Sequence, residues 1–319
     1  MSVGVNEQLV TKVLLSLWQR PETTIAELMR QFGVGVQDVL EVLSERRCLI
    51  ERTPAGVRLV ATGLSCWRDV VEDHAVQTAS RFGRRAIILA RTASTNDIAW
   101  QHAESADADG IVVVADEQTA GRGRFGNSWC AKPEQSILLS LLIRMDSSAG
   151  IDTLTLLAGL ATARAVERMG VARAAIKWPN DILVEGRKLA GILVERRGGH
   201  VVIGIGVNIA QTAADFPPDV TARATSLYQA TSAMVDRLRV LMALLEELEK
   251  ALAAPQQSVQ WIGEWKSRCE MLGTRVKLQE SGTILTGLVL DVDPLNGLVL
   301  RDDRGATHFL SAQTTTLSI

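Results

Sequence analysis

Residues 177–195 read KWPNDILVEGRKLAGILVE, and residues 201–209 follow as VVIGIGVNI. These hold three apolar runs of strand length (182–184, 189–194 and 201–209), separated by polar turns. Upstream, residues 86–90, 111–115 and 137–143 are further strand-length runs, and 152–169 is a long helical pattern rich in Leu and Ala. A second helical pattern covers 235–252, and Pro255 interrupts it before a shorter helix carrying Trp261 and Trp265. Strands and helices are interspersed but not in strict βαβ alternation. The order predicts a mixed sheet with helices rather than a doubly wound parallel sheet.

Working outward, the front of the chain is helical. Val10, Val13, Leu14 and Leu17 keep helical spacing until Pro21 breaks it. Thr24 and Glu27 form a capping-box pattern that opens a second helix through Ile25, Leu28 and Met29. Phe32-Gly33-Val34-Gly35 reads as a tight turn, and Val36, Val39, Leu40 and Leu43 share one face of a third helix. Residues 49–52 and 57–60 flank the turn Pro54-Ala55-Gly56 as a small hairpin. Helix, helix, turn, helix and hairpin is the plan of a winged helix-turn-helix. At the other end, 275–279, 283–292, 297–301 and 306–310 are strand patterns separated by Gly and Asp-Pro turns, the pattern of a small barrel. The chain is therefore expected to be a multidomain α+β protein: an N-terminal winged helix-turn-helix (1–65), a linker or connecting helix (66–85), a central mixed-sheet domain with helices (86–271) and a C-terminal β domain (272–319).

Composition narrows the function classes. With 319 residues and a formal net charge of −2, the chain is not a globally basic nucleic-acid binder. Cys48, Cys66, Cys130 and Cys269 are scattered, with no CxxC pair, and His74, His102, His200 and His308 form no ligand cluster. Neither a disulfide framework nor a zinc site is expected, which fits a reducing compartment. The first residues lack a signal-peptide pattern, and no apolar run reaches the roughly 18 residues of a membrane span. The expectation is a cytoplasmic protein with no membrane association.

Five segments carry chemistry. In Gly121-Arg122-Gly123-Arg124-Phe125-Gly126, followed by Trp129, three glycines allow close backbone approach and two arginines can hold phosphate or carboxylate oxygens. No GK[ST] follows, so this is not a Walker A loop; a flexible basic surface loop is the plain alternative. Lys177-Trp178-Pro179-Asn180-Asp181 presents oxygen ligands suited to Mg²⁺ and nucleotide phosphates, or is an ordinary turn. Lys188 opens a strand in which Ala190 and Gly191 leave room for a ligand; alternatively it is a solvated turn lysine. Gly204-Ile205-Gly206-Val207-Asn208 exposes one backbone face to a close neighbour, in a ligand or in the sheet packing. Ser94-Thr95-Asn96 can bind a ligand or simply cap a following helix.

In their order and spacing, Thr92-Ala93-Ser94-Thr95-Asn96, Gln118-Thr119-Ala120-GRGRFG, KWPND, KLAGILVE and GIGVN together resemble the biotin–protein ligase family, in particular the bifunctional bacterial type that also represses biotin-synthesis genes. The resemblance covers essentially the whole chain. It implies a mixed-sheet ligase domain flanked by the winged helix and an SH3-like barrel. It implies that biotin and ATP are substrates, with Mg²⁺, and that no cofactor is permanently bound. Biotinyl-5′-AMP forms first, and biotin then passes to one lysine of a biotin carboxyl-carrier protein. On this resemblance Ser94, Thr95, Asn96 and Gln118 hold the ureido ring. Arg122, Gly123 and Arg124 lie in a loop over biotin and adenylate, and Lys188 lies near the biotin carboxylate and the α-phosphate. Apolar strand residues around Gly191 and Gly204 wall the bicyclic ring and valeryl chain, and Gly191, Gly204 and Gly206 are biotin-binding positions. Arg124, Trp129, Lys177, Asn180 and Asn208 fall near the nucleotide, and Asp181 near the metal. Lys188, Arg122, Arg124 and Asp181 are the candidate catalytic groups, by positioning and charge neutralisation rather than by a covalent nucleophile. The loop at 116–129 is expected to be mobile when empty and ordered by the adenylate, and ligand ordering in the repressor type promotes homodimerisation.

The front of the chain departs from that pattern. Residues 1–65 carry seven basic and seven acidic side chains, and Asp38 and Glu41 stand where a recognition helix meets DNA. Gln37 is the one good base reader there, and Arg46, Arg47, Arg52 and Arg58 are the candidates for phosphate contact. Binding of operator DNA therefore competes with a ligase whose winged helix only packs. Thr119 replaces a longer polar residue, and an adenine-stacking aromatic is not evident, Phe216 and Tyr228 being candidates. The rival enzyme reading is a lipoate or octanoyl ligase; the rival of another class is a ligand-sensing transcription factor with a dead site.

Overall fold

The structure is a computed structural model that describes residues 6–20, 22–33, 35–129, 131–145, 150–253, 259–293 and 297–317. The sequence readings at Pro21, Val34, Cys130, Pro255 and the proline of the Asp293-Pro294 turn lie outside the described residues.

Three helices open the chain: α1 (Glu7–Gln19), α2 (Ile25–Phe32) and α3 (Val36–Glu45). Each starts or packs as its residues dictate. Asn6 caps α1, and the Thr24/Glu27 capping box closes α2 in both directions. Val10, Val13, Leu14 and Leu17 on α1 meet Val36, Val39, Leu40 and Leu43 on α3 in one buried cluster. An antiparallel hairpin follows, β1 (Leu49–Thr53) with β2 (Gly56–Ala61). Residues 66–85 are no open linker: α4 (Trp67–Gln77) buries Trp67, Val70, Val71 and Ala75, and Phe82 is buried beyond it.

The central unit runs β3 (Ala86–Thr92), α5 (Thr95–Gln101), β4 (Ile111–Gln118), β5 (Ser136–Arg144), α6 (Ile151–Glu167), β6 (Ala175–Lys177), β7 (Asp181–Val184), β8 (Arg187–Arg197), β9 (His200–Asn208), α7 (Leu227–Thr231), α8 (Arg237–Ala253) and α9 (Val259–Arg268). Its seven-stranded sheet has the order β3-β4-β5-β9-β8-β7-β6. β3 and β4 are parallel, whereas the other described neighbours are antiparallel, so the sheet is mixed as the strand order predicts. Side chains alternate across it. Val112, Val114, Leu139 and Leu141 face the cluster that includes α6 and α8. Ile111, Val113, Leu142 and Val202 face Ala99 of α5 on the other side. α6 is buried nearly all round, which fits a helix enclosed between the sheet and further helices.

The chain ends in a five-stranded antiparallel sheet: β10 (Arg275–Glu280), β11 (Thr283–Asp293), β12 (Gly297–Asp302), β13 (Thr307–Leu310) and β14 (Thr315–Leu317), in the order β13-β12-β11-β10-β14. β14 and β6 have three residues each and α7 has five, too short for a periodic signal, and the sequence reading contains none of them. Among the described residues no helix is long and apolar enough to cross a membrane.

Candidate functional site

A cavity of about 290 Å³ opens on the α5 face of the large sheet. Its floor follows from the two-residue period of the strands. Gly191 pairs with Gly206, Leu193 with Gly204, and Ser140 with Gly204, so these positions share one face. Ser94, Thr95, Asn96 and Gln118 line one end of this cavity, and Lys177, Asn180, Asp181 and Lys188 another; Arg122, Gly123, Arg124 and Trp129 complete it. The five segments thus meet in one place, across the ends of α5, β4, β6, β7, β8 and β9.

The α5 end is a buried polar network. Thr95 Oγ1 lies 3.0 Å from Gln118 Oε1 and 2.7 Å from Ser140 Oγ, and the Thr95 backbone N–H donates to Gln118 Oε1 at 2.7 Å. Ser140 Oγ donates to Asn96 Oδ1 at 2.6 Å, and Asn96 Nδ2 donates to Glu195 Oε2 at 2.8 Å. Ser140 and Glu195 were not singled out from sequence, because a serine within an apolar strand and an acid at a strand end carry no pattern of their own.

The glycines have distinct jobs. A Cβ on Gly204 would stand 2.5 Å from Asn96 Oδ1, so its open side is filled by Asn96 rather than left free for a ring. A Cβ on Gly206 would stand 2.4 Å from the Trp129 indole, and one on Gly191 3.1 Å from it. Trp129 therefore lies flat against two glycines, and its buried Nε1 has no hydrogen-bond partner among the described residues.

The glycine–arginine loop is a pinned hairpin here rather than an open loop. Trp129 N–H donates to the Gly121 carbonyl at 2.9 Å, and Gly123 N–H to Asn127 at 2.6 Å. Arg122 holds Asp97 with two bonds of 2.7 and 2.8 Å, which lowers the Asp97 carboxyl below its ordinary range. Arg124 donates to Asn180 Oδ1 at 3.2 Å and to the carbonyls of Ala312 and Thr315, the latter at 3.0 Å. Burial pushes the Arg124 guanidinium below its usual pKa. Asp152, at the start of α6, accepts from Ala312 N at 3.0 Å and Ser311 Oγ at 3.1 Å, so the C-terminal sheet is fastened beside the cavity and Thr316 lines it.

The cationic end is built on a pair. Lys188 Nζ lies 2.7 Å from Asp181 Oδ1 and 5.5 Å from the Trp129 ring centroid. Asn180 is fixed through its amide donating to the Ile192 carbonyl at 2.9 Å. Among the described residues no cluster of three or more His, Cys, Asp or Glu side chains could cage a metal. The oxygens at this end are Asp181 Oδ1, paired with Lys188, and Asn180 Oδ1, which accepts from Arg124.

Three expectations meet a different geometry. Asn208 does not line the cavity; its amide donates to the Thr225 carbonyl at 3.0 Å and its Oδ1 accepts from Gln211 at 3.3 Å. Phe216 and Tyr228 do not line it either, whereas Trp129, Phe125 and Trp178 do. In the front unit, Arg46 is paired with Glu7 at 2.6 Å, Arg47 with Glu134 at 2.7 Å and Arg58 with Glu51 at 2.5 Å. The exposed face of α3 carries Gln37, Asp38, Glu41, Ser44 and Glu45, and Gln37 and Arg52 border a shallow cleft between α3 and the hairpin.

The sequence profile of the biotin/lipoate A/B protein ligase family matches residues 88–208. A biotin–[acetyl-CoA-carboxylase] ligase of Mycobacterium tuberculosis is 36% identical over 242 residues, covering 72% of this chain and 87% of that protein. The bifunctional ligase/repressor BirA of Bacillus subtilis is 32% identical over 249 residues, covering 73% of this chain and 76% of that protein. Among solved structures, a biotin protein ligase from Aquifex aeolicus in complex with biotin and ATP superposes with a TM-score of 0.65 at 28% identity, covering 74% of this chain and 100% of that one.

Proposed function

The chain belongs to the biotin–protein ligases of the biotin/lipoate A/B protein ligase family, and from that premise we propose that it activates biotin with ATP and passes it to a lysine of a biotin carboxyl-carrier protein. The observation that carries this reading is the single cavity that joins a buried polar end, an apolar glycine-rich floor and a cationic end. A ureido head needs donors and acceptors, which Thr95 and Gln118 offer. A valeryl chain suits the floor, and a carboxylate and triphosphate suit Lys188 and Arg124.

In the first step a biotin carboxylate oxygen attacks the α-phosphorus of ATP, and the bond to pyrophosphate breaks. Two anions approach, so fixed positive charge at Lys188 and Arg124 lowers the barrier by positioning and neutralisation. Arg122, tied to Asp97, shapes the loop over the ligand. Asp181, helped by Asn180, would hold Mg²⁺, which supplies charge neutralisation on the phosphates. In the second step the neutral amine of the acceptor lysine attacks the biotinyl carbonyl, AMP leaves, and the amine loses a proton. The hairpin at 121–129 excludes water from the anhydride meanwhile.

The remaining assignments follow from the same premise. Residues 1–65 form a winged helix-turn-helix, 86–271 the ligase domain and 272–319 an SH3-like barrel, in a cytoplasmic protein. Biotin-dependent exchange of pyrophosphate into ATP, followed by transfer to a carrier domain, tests the activity. Exchange with lipoate or octanoate and not with biotin would reject it.

A second reading, operator repression by an adenylate-bound homodimer, is favoured by relatives described as bifunctional ligase/repressors. Against it stand the acidic face of α3 and the intramolecular pairs of Arg46, Arg47 and Arg58. We favour a front unit that packs. A mobility shift on biotin-gene promoter DNA with biotin and ATP decides: tight binding restores the repressor reading, and a shift gained only by Asp38→Lys supports packing.

A further inference from the structure

Glu195 is the last residue of KLAGILVE, inside β8, and the chemistry above gives it no part. Its side chain shares the sheet face of Gly191 and Leu193, since β8 alternates. Oε2 accepts from Asn96 Nδ2 at 2.8 Å and from Trp100 Nε1 at 3.1 Å, while Oε1 lies 3.9 Å from the Arg122 guanidinium. Two donors from α5 and the charge of Arg122 therefore converge on one carboxylate.

The donors and acceptors fix a direction. A carboxylate accepts and does not donate, so the Asn96 amide must turn Nδ2 toward Glu195 and Oδ1 toward the sheet. Oδ1 only accepts, so the Ser140 hydroxyl, 2.6 Å away, must donate its single proton to it. With that proton on Asn96, Ser140 Oγ has only a lone pair left for Thr95 Oγ1, 2.7 Å away, so the Thr95 hydroxyl donates to it in preference to Gln118 Oε1, which is farther off at 3.0 Å. The Thr95 proton is thereby drawn inward. Gln118 Oε1 keeps the Thr95 backbone N–H at 2.7 Å, and Thr95 Oγ1 turns a lone pair to the cavity. Thr95, Asn96 and Ser140 are 3%, 6% and 0% exposed, so water cannot correct a reversed amide. Gly204 belongs to the same device, because any Cβ there would drive Asn96 off Ser140.

We propose that Glu195 is a positioning residue that sets the hydrogen-bond polarity of the closed end of the cavity, so that Thr95 Oγ1 presents an acceptor to a ring N–H of the ligand. This rests on the reading of that cavity as a biotin site.

The test is calorimetric biotin binding and steady-state kinetics on the full chain, with thermal melting to establish folding. Glu195→Ala should weaken biotin binding about tenfold or more. The ATP KM, and kcat at saturating biotin, should stay within about twofold, a split that general loss of structure would not produce. Glu195→Gln should bind biotin within about threefold of the parent, because its Oε1 still accepts from Asn96 and Trp100. Asn96→Asp sets two carboxylates face to face and should lose about tenfold. Adding Glu195→Gln should restore most of that loss, because the new amide donates to Asp while Asp still accepts from Ser140. Biotin bound by Glu195→Ala as by the parent, or a double variant no better than Asn96→Asp alone, overturns the proposal. A parent protein that binds no biotin rejects the ligand reading instead.

Discussion

Removing the Lys188 ammonium should slow adenylate formation far more than it weakens biotin binding. Nζ sits 2.7 Å from Asp181 Oδ1 and its stem packs near Gly191 and Trp129. Asp181 Oδ1 is buried and the Lys188 ammonium is paired with it, so loss of the ammonium also leaves an uncompensated anion beside the reacting carboxylate and phosphate. Two unit charges 4 Å apart interact by about 4 kcal/mol at an effective dielectric constant of about 20. Part of that is present in the ground state and part is screened, because the Lys188 side chain is 37% exposed. About 3 kcal/mol of differential stabilisation remains, or a factor of roughly 10² in rate. Lys188→Met preserves the packing of the stem and Lys188→Ala does not; both should show the same order of loss if charge is the cause. Rapid-quench measurement of biotinyl-AMP in a single turnover reads the chemical step, and calorimetry reads biotin affinity. A single-turnover rate within about twofold of the parent in Lys188→Met would refute the reasoning.

Arg124→Ala removes donors to Asn180 and to the Ala312 and Thr315 carbonyls. It should speed escape of biotinyl-AMP by about tenfold or more, read in a chase experiment, and parental retention would count against a closing role. Gly206→Ala places a methyl 2.4 Å from the Trp129 indole, so the indole must shift. Overpacking of about 1–3 kcal/mol should appear as a lower melting temperature together with weaker biotin binding, and full retention of both would show that Trp129 does not depend on that seat. Glu264 is held by Arg164 and Arg268, and those partners bring its carboxyl down to about 2. A depressed carboxylate stabilises fully above its unfolded pKa and loses that contribution as pH falls toward the folded value. Glu264→Gln should therefore cost about 1 kcal/mol in urea melts at pH 7 and progressively less as pH drops below about 4. An equal cost at pH 7 and near pH 2 would sink this account.

The long elements were legible because they carry strong periodicity. The α6 and α8 helices, the six longer strands of the central sheet and the capping box at Thr24 follow from spacing alone. The site was legible segment by segment, but not its internal logic. Sequence spacing cannot tell that Gly204 makes room for Asn96 while Gly206 makes room for Trp129, because that depends on which of two neighbours crosses a given strand. Asn208 shows the opposite case. An asparagine beside a glycine pair suggests a ligand, yet its amide is used to hold Thr225 and Gln211. The pairing of Arg46 and Arg47 was equally invisible, since Glu7 and Glu134 are distant in sequence from their partners, whereas Arg58 meets Glu51 directly across the hairpin. Charge counting found a neutral front unit; only geometry shows that three of its cations are already paired.

The grip of Arg124 on Ala312 and Thr315 joins groups 188 and 191 residues apart in the chain. On a ribosome, the Gly121 hairpin emerges long before the strand that clasps it. Throughout that interval the hairpin has the Asp97 anchor but lacks the clasp beside Asn180. Contacts of such span form late, after the local turns and helices. An incompletely synthesised or C-terminally nicked copy would thus carry nearly every chemical group and still leave its arginine unfastened. The seating of the arginine hairpin thus depends on the docking of the segment that carries Ala312 and Thr315.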